Sequence, residues 1–450
     1  MDRRFLLFFS LAAVTLLFLF RVDHKPLLNA WQRQKFTPSH HANASSSAVI
    51  QDHTLHQPKP PENKRPLKIA ILESMGWHDE VYAAYVHSFF SQPDAEVSLF
   101  FKGPRWGMPE LLKTFELPLP EYVYYDINAL NLVEPDIIVS VTCEYDLQNI
   151  VEHLDILFEK KKTYFFCNAH YAAQWDGHHE WLEPSLTKWI EAGLLTIVTL
   201  SPHVQKAFHK PGWGLSPWES LRPKNESTNT TSTPIPWPPI DVFVPVFPPT
   251  NKSESAQEDK KEVSFAIQGG VTDSRDYSRV MDYLADLLQS NSTSDNVSLH
   301  IIGSGGWEAS VHDSVPDSVQ DNVFFDSNLD YLDYYAYLST KSALLPAWSK
   351  EEYLTWLSSS SIPASVIGGI PLIATRETLK AYSYLQEGDV YVQEEGETEM
   401  DAIKKVVQMS GEERKAKTKS VRATRDRMVK SNVKQVGRWI EDVRVKMGWL

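Results

Sequence analysis

The chain has 450 residues, 42% of them apolar, an ordinary globular composition at a length that accommodates two or three domains. A formal charge of −14 at pH 7 and the lack of a long basic stripe exclude a nucleic-acid binder, which leaves small molecules and glycans as the expected partners. Two cysteines, Cys143 and Cys167, are too few for a disulfide framework and lack metal-site spacing; each ends a predicted strand, so a single disulfide and two buried thiols both stay open.

Residues 5–20 form an unbroken apolar run behind Arg3 and Arg4. As a helix it spans about 24 Å, short for a thick bilayer, with Arg21 placed to snorkel. No small-x-small cleavage site follows it closely, so an uncleaved signal anchor over residues 5–21 behind a cytoplasmic tail of residues 1–4 is expected rather than a removed signal peptide. Residues 22–66, rich in His, Pro, Gln, Ser and Lys, have the composition of a disordered stem. Asn43, Asn225, Asn229, Asn251, Asn291 and Asn296 each open an N-x-S/T triplet in a polar, turn-rich stretch, as a lumenal body would require. A short anchor suits thin early secretory membranes, and the expected location is the endoplasmic reticulum or Golgi, single-pass type II.

Regular structure is expected from residue 67. Strands are read at 67–74, 96–101, 121–126, 135–142, 162–167 and 194–201, with helices at 81–90, 147–159 and from Pro202. Strands apolar on both faces, alternating with helices, specify a parallel sheet covered on both sides, so residues 67–209 form a first Rossmann-like domain. Residues 210–261 break the rhythm with the sequon-bearing KNESTNTTSTP and the proline-locked PIPWPPIDVFVPVFPP, which excludes a central strand or a helix; a stiff connector is expected. A second series occupies residues 262–420, and a charged helix with an apolar stripe ends the chain at 421–450, the stripe read as core packing.

That second series opens on VSFAIQGGVTDSRDYSRVMDYLADLL, residues 263–288, which reads as a buried strand, a turn at Gly269 and Gly270, a polar loop and an amphipathic helix. A strand that passes through glycines into a helix aims backbone N–H groups and a positive helix end at one point, which suits an anion. Arg275 and Arg279 would add charge there, and a guanidinium grips phosphate in bidentate fashion; the plain alternative is an ordinary βα unit whose arginines are solvated. The strand VSLHIIG ends in the small-residue turn Gly303, Ser304, Gly305 and Gly306, and NVFFDSN ends near Asp326.

The ordered set TIVTLSPHVQKAF, PIDVFVP, FAIQGG, HIIGSGG, NVFFDSNLDYLDYYAYLSTKSALLPA and SVIGGIPLIAT resembles the GT-B glycosyltransferases, in particular family 4, which uses nucleotide-sugar donors. The resemblance implies two doubly wound domains facing a central cleft, the first for acceptor and the second for donor, with donor contacts at Gly269, Gly270, Arg275, Arg279, Gly303, Ser304, Gly305 and Asp326. It implies a hexosyltransferase that is retaining and needs no metal, with the nucleotide-sugar as substrate and no cofactor. The family's two sugar-holding glutamates fall here near Trp356 and Ala364, neither acidic. Hydroxyls of Ser359, Ser360 and Ser361 at a helix start, with that helix's N–H groups, offer a substitute grip on a diphosphate, against the plain reading of a serine-rich cap. In the first domain His170 and Asp176 are the catalytic candidates, and His78 and Trp175 the acceptor-site candidates. Trp175 and Trp181 either stack on a sugar or pin the loop. His178 and His179 would point apart, and no metal site is expected. The expected function is a lumenal, membrane-anchored transferase acting on a glycan, glycoprotein or glycolipid; the alternative is an inactive glycan-binding or scaffold protein of the same fold.

Overall fold

The computed structural model describes residues 65–103, 105–118, 123–124, 126–160, 162–175, 181–221, 237–249, 262–290 and 297–449. The predicted anchor and stem, all six sequons, and Asp176, His178 and His179 lie outside the described residues. Among the described residues no helix is long and apolar enough to cross a membrane.

Two parallel sheets carry the molecule. The first contains β1 (Leu67–Glu73), β2 (Ala95–Phe101), β3 (Val123–Tyr124), β4 (Ile137–Ser140), β5 (Tyr164–Ala169), β6 (Leu195–Thr199) and β7 (Ile240–Val242), in the order β3-β2-β1-β4-β5-β6-β7. In the second are β8 (Val263–Gln268), β9 (Val297–Ile302), β10 (Val323–Asp326), β11 (Ala343–Leu344), β12 (Leu372–Thr375) and β13 (Val390–Gln393), in the order β10-β9-β8-β11-β12-β13. All residues of β5, β6, β8 and β9 are buried, which is why these strands are mostly apolar on both faces, and their few polar side chains, such as Asn168, Gln268 and His300, are buried too. β1 lies between β2 and β4, and β8 between β9 and β11, so each domain reverses its strand order at its first strand. Open α/β sheets bind ligands outside the carboxyl end of such a switch point. The loops after β1 and β8 are therefore where a site belongs.

Several elements differ from the sequence reading. The helix α2 (Cys143–Glu159) starts four residues before the expected Leu147, so Cys143 opens a helix and Cys167 lies within β5. The two are disulfide-bonded, with Cα atoms 5.2 Å apart. The proline-locked stretch is not only a connector, because Ile240–Val242 pairs with β6 as an edge strand, the place where proline neighbours are tolerated. β13 went unread, since DVYVQ is short and flanked by charge.

The terminal helix α9 (Gly411–Met447) has 37 residues, begins ten residues earlier than expected and returns to the first domain. A capping box of Ser410 and Glu413 starts it and Gly448, at φ 69°, ends it. Val421, Met428, Val436, Trp439, Ile440 and Val443 are buried, so the predicted stripe is core. Along β7 and beyond, Gln435 donates to Val242 O (2.9 Å), Asn432 to Val244 O (2.8 Å), and Trp439 to the Asp241 carboxylate (2.7 Å). An otherwise open sheet edge is thus covered by a helix. One hydrophobic cluster runs from Leu67 and Phe166 through Trp439 to Ile362 and Leu372, joining the two domains.

Candidate active site

Between the carboxyl ends of the two sheets lies a cleft of about 550 Å³, within the size range of small-molecule sites. Its first-domain wall is organised by buried carboxylates. Glu73, the last residue of β1, accepts the backbone N–H groups of Met75, Gly76 and Trp77 (3.0, 2.6 and 3.3 Å) and the Thr142 hydroxyl. Three amides on one oxygen hold the loop after β1 in a single shape. Because Thr142 spends its proton on Glu73, its oxygen accepts from His78 Nδ1 (2.9 Å), which assigns the proton to Nδ1 and leaves Nε2 as a base. Burial, with the neighbouring His170, holds the His78 pKa well below the usual imidazole value.

His170 stacks on His78 with ring centroids 3.8 Å apart. Its Nε2 lies 2.8 Å from Val141 O, which only accepts, so Nε2 carries the proton and Nδ1 is the remaining acceptor. Glu144 positions it: one carboxylate oxygen accepts the amides of His170 (2.6 Å) and Tyr171 (3.1 Å) and Trp175 Nε1 (3.1 Å). The disulfide stands beside this knot and ties the start of α2 to β5. Both His78 and His170 line the cleft. Trp175 does not. It is 1% exposed and packs edge-on against Phe208 and Trp218, so it pins the loop and is withdrawn from the acceptor set.

The sequence reading passed over two acids. Asp79 and Glu80 open α1 (Asp79–Phe90), two residues ahead of the helix start expected at 81, where negative charge complements the helix N-terminus. Asp79 is buried, hydrogen-bonded to Tyr331 of the second domain, and pushed up to about 7, by burial first and then by Glu80. Glu80 lines the cleft, and burial pushes it too up to about 7. Their adjacency in a helical first turn after a glycine loop was the only available signal.

On the opposite wall the backbone turns themselves are the construction. Gly269 (φ 102°) and Gly303 (φ 145°) adopt conformations that favour glycine, and a Cβ on Gly303 would stand 2.1 Å from Gly269 O. Gly269, Gly270, Gly303 and Ser304 face the cleft. Gly305 is instead spent on packing, because a Cβ there would meet Val271 O at 2.4 Å. Gln268 ends β8 with its Oε1 accepting the Tyr334 hydroxyl, while its buried Nε2 has no partner among the described residues. Asp326 ends β10, lines the cleft, and lies 3.1 Å from His300 Nδ1.

Arg275 is the centre of this wall. Its Nη1 donates to Pro346 O (2.8 Å) and Ser361 Oγ (3.1 Å), and its Nη2 reaches to 3.0 Å from the place of a Cβ on Gly269. Burial lowers its pKa from the ordinary guanidinium value, yet among the described residues no carboxylate pairs with it. Helix α7 (Ser361–Gly368) begins at the same point, and its N-cap Ser360 makes no side-chain capping bond. Ser360 Oγ faces Gly269, whereas Ser361 is fully buried and holds Arg275 from behind. Ser359 is spent on Trp348 Nε1 (3.1 Å) and the Ser361 amide (3.2 Å).

Arg279 is not brought to the cleft. Arg275 sits in an extended bridge with Trp348, but Arg279 is one turn into α5 (Tyr277–Ser290), and the helix rotates it toward Asp276 (3.6 Å) and Glu399 (3.4 Å). Of the two positions read against the family's glutamates, Ala364 lines the cleft, while Trp356 packs edge-on against Trp213 of the first domain. Among the described residues no group of three His, Cys, Asp or Glu is gathered as metal ligands would be.

Two parallel switch-point domains around one cleft define the GT-B glycosyltransferase fold. Solved structures bear this out. Alr3699/HepE of Anabaena in complex with UDP-glucose aligns with a TM-score of 0.55 at 12% identity, over 84% of this chain and 100% of that one. A glycosyltransferase of Rickettsia africae gives 0.54 at 10% identity, over 84% and 98%. The N-terminal domain of Candida albicans trehalose-6-phosphate phosphatase gives 0.52 at 11%, over 86% and 98%. No family model matches the chain, and no curated protein matches it either.

Proposed function

We propose that the protein is a glycosyltransferase that moves a sugar from a nucleotide-sugar to a glycan, glycoprotein or glycolipid acceptor. One observation carries the reading: a half-buried guanidinium, Arg275, has no carboxylate partner among the described residues and stands at a helix start beside Ser360, whose side chain makes no capping bond. A charge partly withdrawn from water and left uncompensated carries a cost that an anionic ligand reduces. The Gln268 amide nitrogen adds an unused donor at the same point. The neighbour HepE is described as binding UDP-glucose and UDP, ligands with the diphosphate that this cradle suits.

In this reading the acceptor's hydroxyl oxygen bonds to the anomeric carbon as that carbon's C–O bond to the diphosphate breaks, the acceptor's proton passes to the departing diphosphate, and Arg275, Ser360 and the α7 N-terminus take up the charge that develops there, the step that preorganised donors accelerate. His170 and His78, both with a ring nitrogen left to accept, hold sugar hydroxyls on the facing wall. The resemblance alone supplies the finer assignment of hexosyl transfer with retained configuration. We place the body in the secretory lumen on a type II anchor, since six sequons and a disulfide suit an oxidising, glycosylating compartment. Endoglycosidase treatment of protein made in a eukaryotic cell is expected to lower its band; an unmoved band refutes the lumenal placement.

The direct test is thermal unfolding of the purified protein with uridine, guanosine and adenosine diphosphates and their sugars. Ligand at about a hundred times its Kd stabilises by about 2.7 kcal/mol, a shift of several degrees. A shift with one nucleotide names the donor class. No shift from folded protein replaces the transferase with the inactive glycan-binding alternative.

A further inference from the structure

Two indoles stand in the cleft where apolar surface is normally hidden. Trp77 is 51% exposed and Trp106 is 41% exposed, and both line the cavity from the first-domain side. Neither is loosely held. The Trp77 amide is one of the three fixed by Glu73, and its ring is braced edge-on by Tyr145, 5.0 Å away. Trp106 has φ 51°, a left-handed conformation that a bulky residue keeps only when its surroundings impose it. Here Trp106 O accepts the Tyr331 amide of the second domain (2.7 Å), and a Cβ on the next residue, Gly107, would lie 3.1 Å from Asp330. The two loops also abut: a Cβ on Gly76 would meet Lys102 O at 3.0 Å and the Arg105 guanidinium at 3.5 Å. Both indoles are thus exposed by construction, with backbone fixed before any ligand arrives.

Two exposed indoles on fixed backbones in one cleft wall select a ligand by shape and polarity. A pyranose offers a flat C–H face for an aromatic ring and a rim of hydroxyls for hydrogen-bonding groups. Glu80 and His78 supply such groups in the same wall. A lipid chain would leave them unpaired in an apolar contact, at a cost a saccharide avoids. Resting on the transferase reading, and extending it to the nature of the acceptor, we propose that Trp77 and Trp106 form a platform that seats a pyranose ring of a saccharide acceptor, with Glu80 accepting one of its hydroxyls. The acceptor's reactive end is then a sugar rather than a peptide side chain or a lipid hydroxyl.

Saturation-transfer NMR on the full-length protein, with the methyl glycosides of glucose, galactose, mannose and N-acetylglucosamine as probes, tests the platform. Wild type is expected to transfer saturation to the ring C–H protons of at least one probe. Trp77→Ala and Trp106→Ala should each weaken that binding about tenfold, and Trp77→Phe should restore part of it. Trp307→Ala, which removes a 51% exposed indole outside the cleft, should change nothing. The nucleotide-diphosphate thermal shift, measured on every variant, reports the opposite wall and the integrity of the fold. Unchanged saturation in the Trp77→Ala/Trp106→Ala double variant overturns the platform, as does the absence of saturation from every probe. Indole-dependent saturation without any nucleotide shift upholds the platform and overturns the transferase reading.

Discussion

Arg275 is the residue whose removal says most. In the structure Nη1 is committed to Pro346 O and Ser361 Oγ, which orients the fork and leaves Nη2, beside Gly269, for the ligand. A charge-assisted hydrogen bond is worth about 1.5–3 kcal/mol, so loss of the Nη2 contact is expected to weaken Kd by roughly 10- to 150-fold. Arg275→Lys keeps the charge but not the planar fork and should fall between wild type and Arg275→Ala. Titration calorimetry with the nucleoside diphosphate that stabilises wild type reads both. The same assay on Arg279→Ala is the internal comparison: one turn further along, this guanidinium answers to Glu399 and Asp276, and its loss should leave nucleotide affinity unchanged. Removing Arg275 also strips Pro346 O of a donor, so the Ala variant is expected to unfold more easily by about 1 kcal/mol. A change of less than about threefold in Kd for Arg275→Ala, in protein shown to be folded, refutes the anion cradle.

Stability should also depend on pH in a direction set by Asp79 and Glu80. Both folded-state pKa values lie near 7, above ordinary carboxylate values, so the folded state binds more protons than the unfolded one in between. Their contribution is fully present in acid and falls as pH rises toward about 7, levelling off above it, while His78, His87 and His203, whose pKa values burial lowers, contribute in the opposite sense; relative to wild type, Asp79→Asn should lose part of the fall, on the order of 2 kcal/mol, in melting curves from about pH 5 to 8. An Asp79→Asn curve that runs parallel to the wild-type curve over this range contradicts the assignment. Gly303→Ala drives a methyl to 2.1 Å from Gly269 O at a φ that disfavours side chains, and should destabilise by more than about 3 kcal/mol, while Gly306→Ala, with open space around it, should stay within about 0.5 kcal/mol in the same denaturation assay.

The sequence made the alternating strands and helices legible because a parallel strand buried on both faces must be apolar along its length. The glycine turns were legible too, as the backbones at Gly269 and Gly303 approach more closely than a side chain permits. What escaped depended on partners far away in the chain. Trp175 and Trp77 look alike as letters, but Glu144, 31 residues upstream, captures the first indole N–H, whereas Glu73 fixes only the backbone of the second. Arg275 and Arg279 differ by one helical turn and by which side of α5 the chain enters. Asp79 has no visible partner in its own stretch of sequence; that partner is Tyr331 of α6 (Tyr331–Leu338), some 250 residues away. The edge strand β7 was hidden by its prolines, and the reach of α9 by its charged face.

The closing helix also has a consequence for biosynthesis. Phe166 and Phe243 of the first domain pack against Trp439, at ring-centroid distances of 5.0 and 5.9 Å. A ribosome adding about 5–20 residues per second delivers that indole, roughly 200 residues after β7, some 10–40 s later. Through that interval the first domain has its whole sheet but not its cover, and it presents aromatic surface and an open strand edge to whatever surrounds it. The nascent chain is at its stickiest just before α9 emerges. Shortening it from the carboxyl end would make that interval permanent.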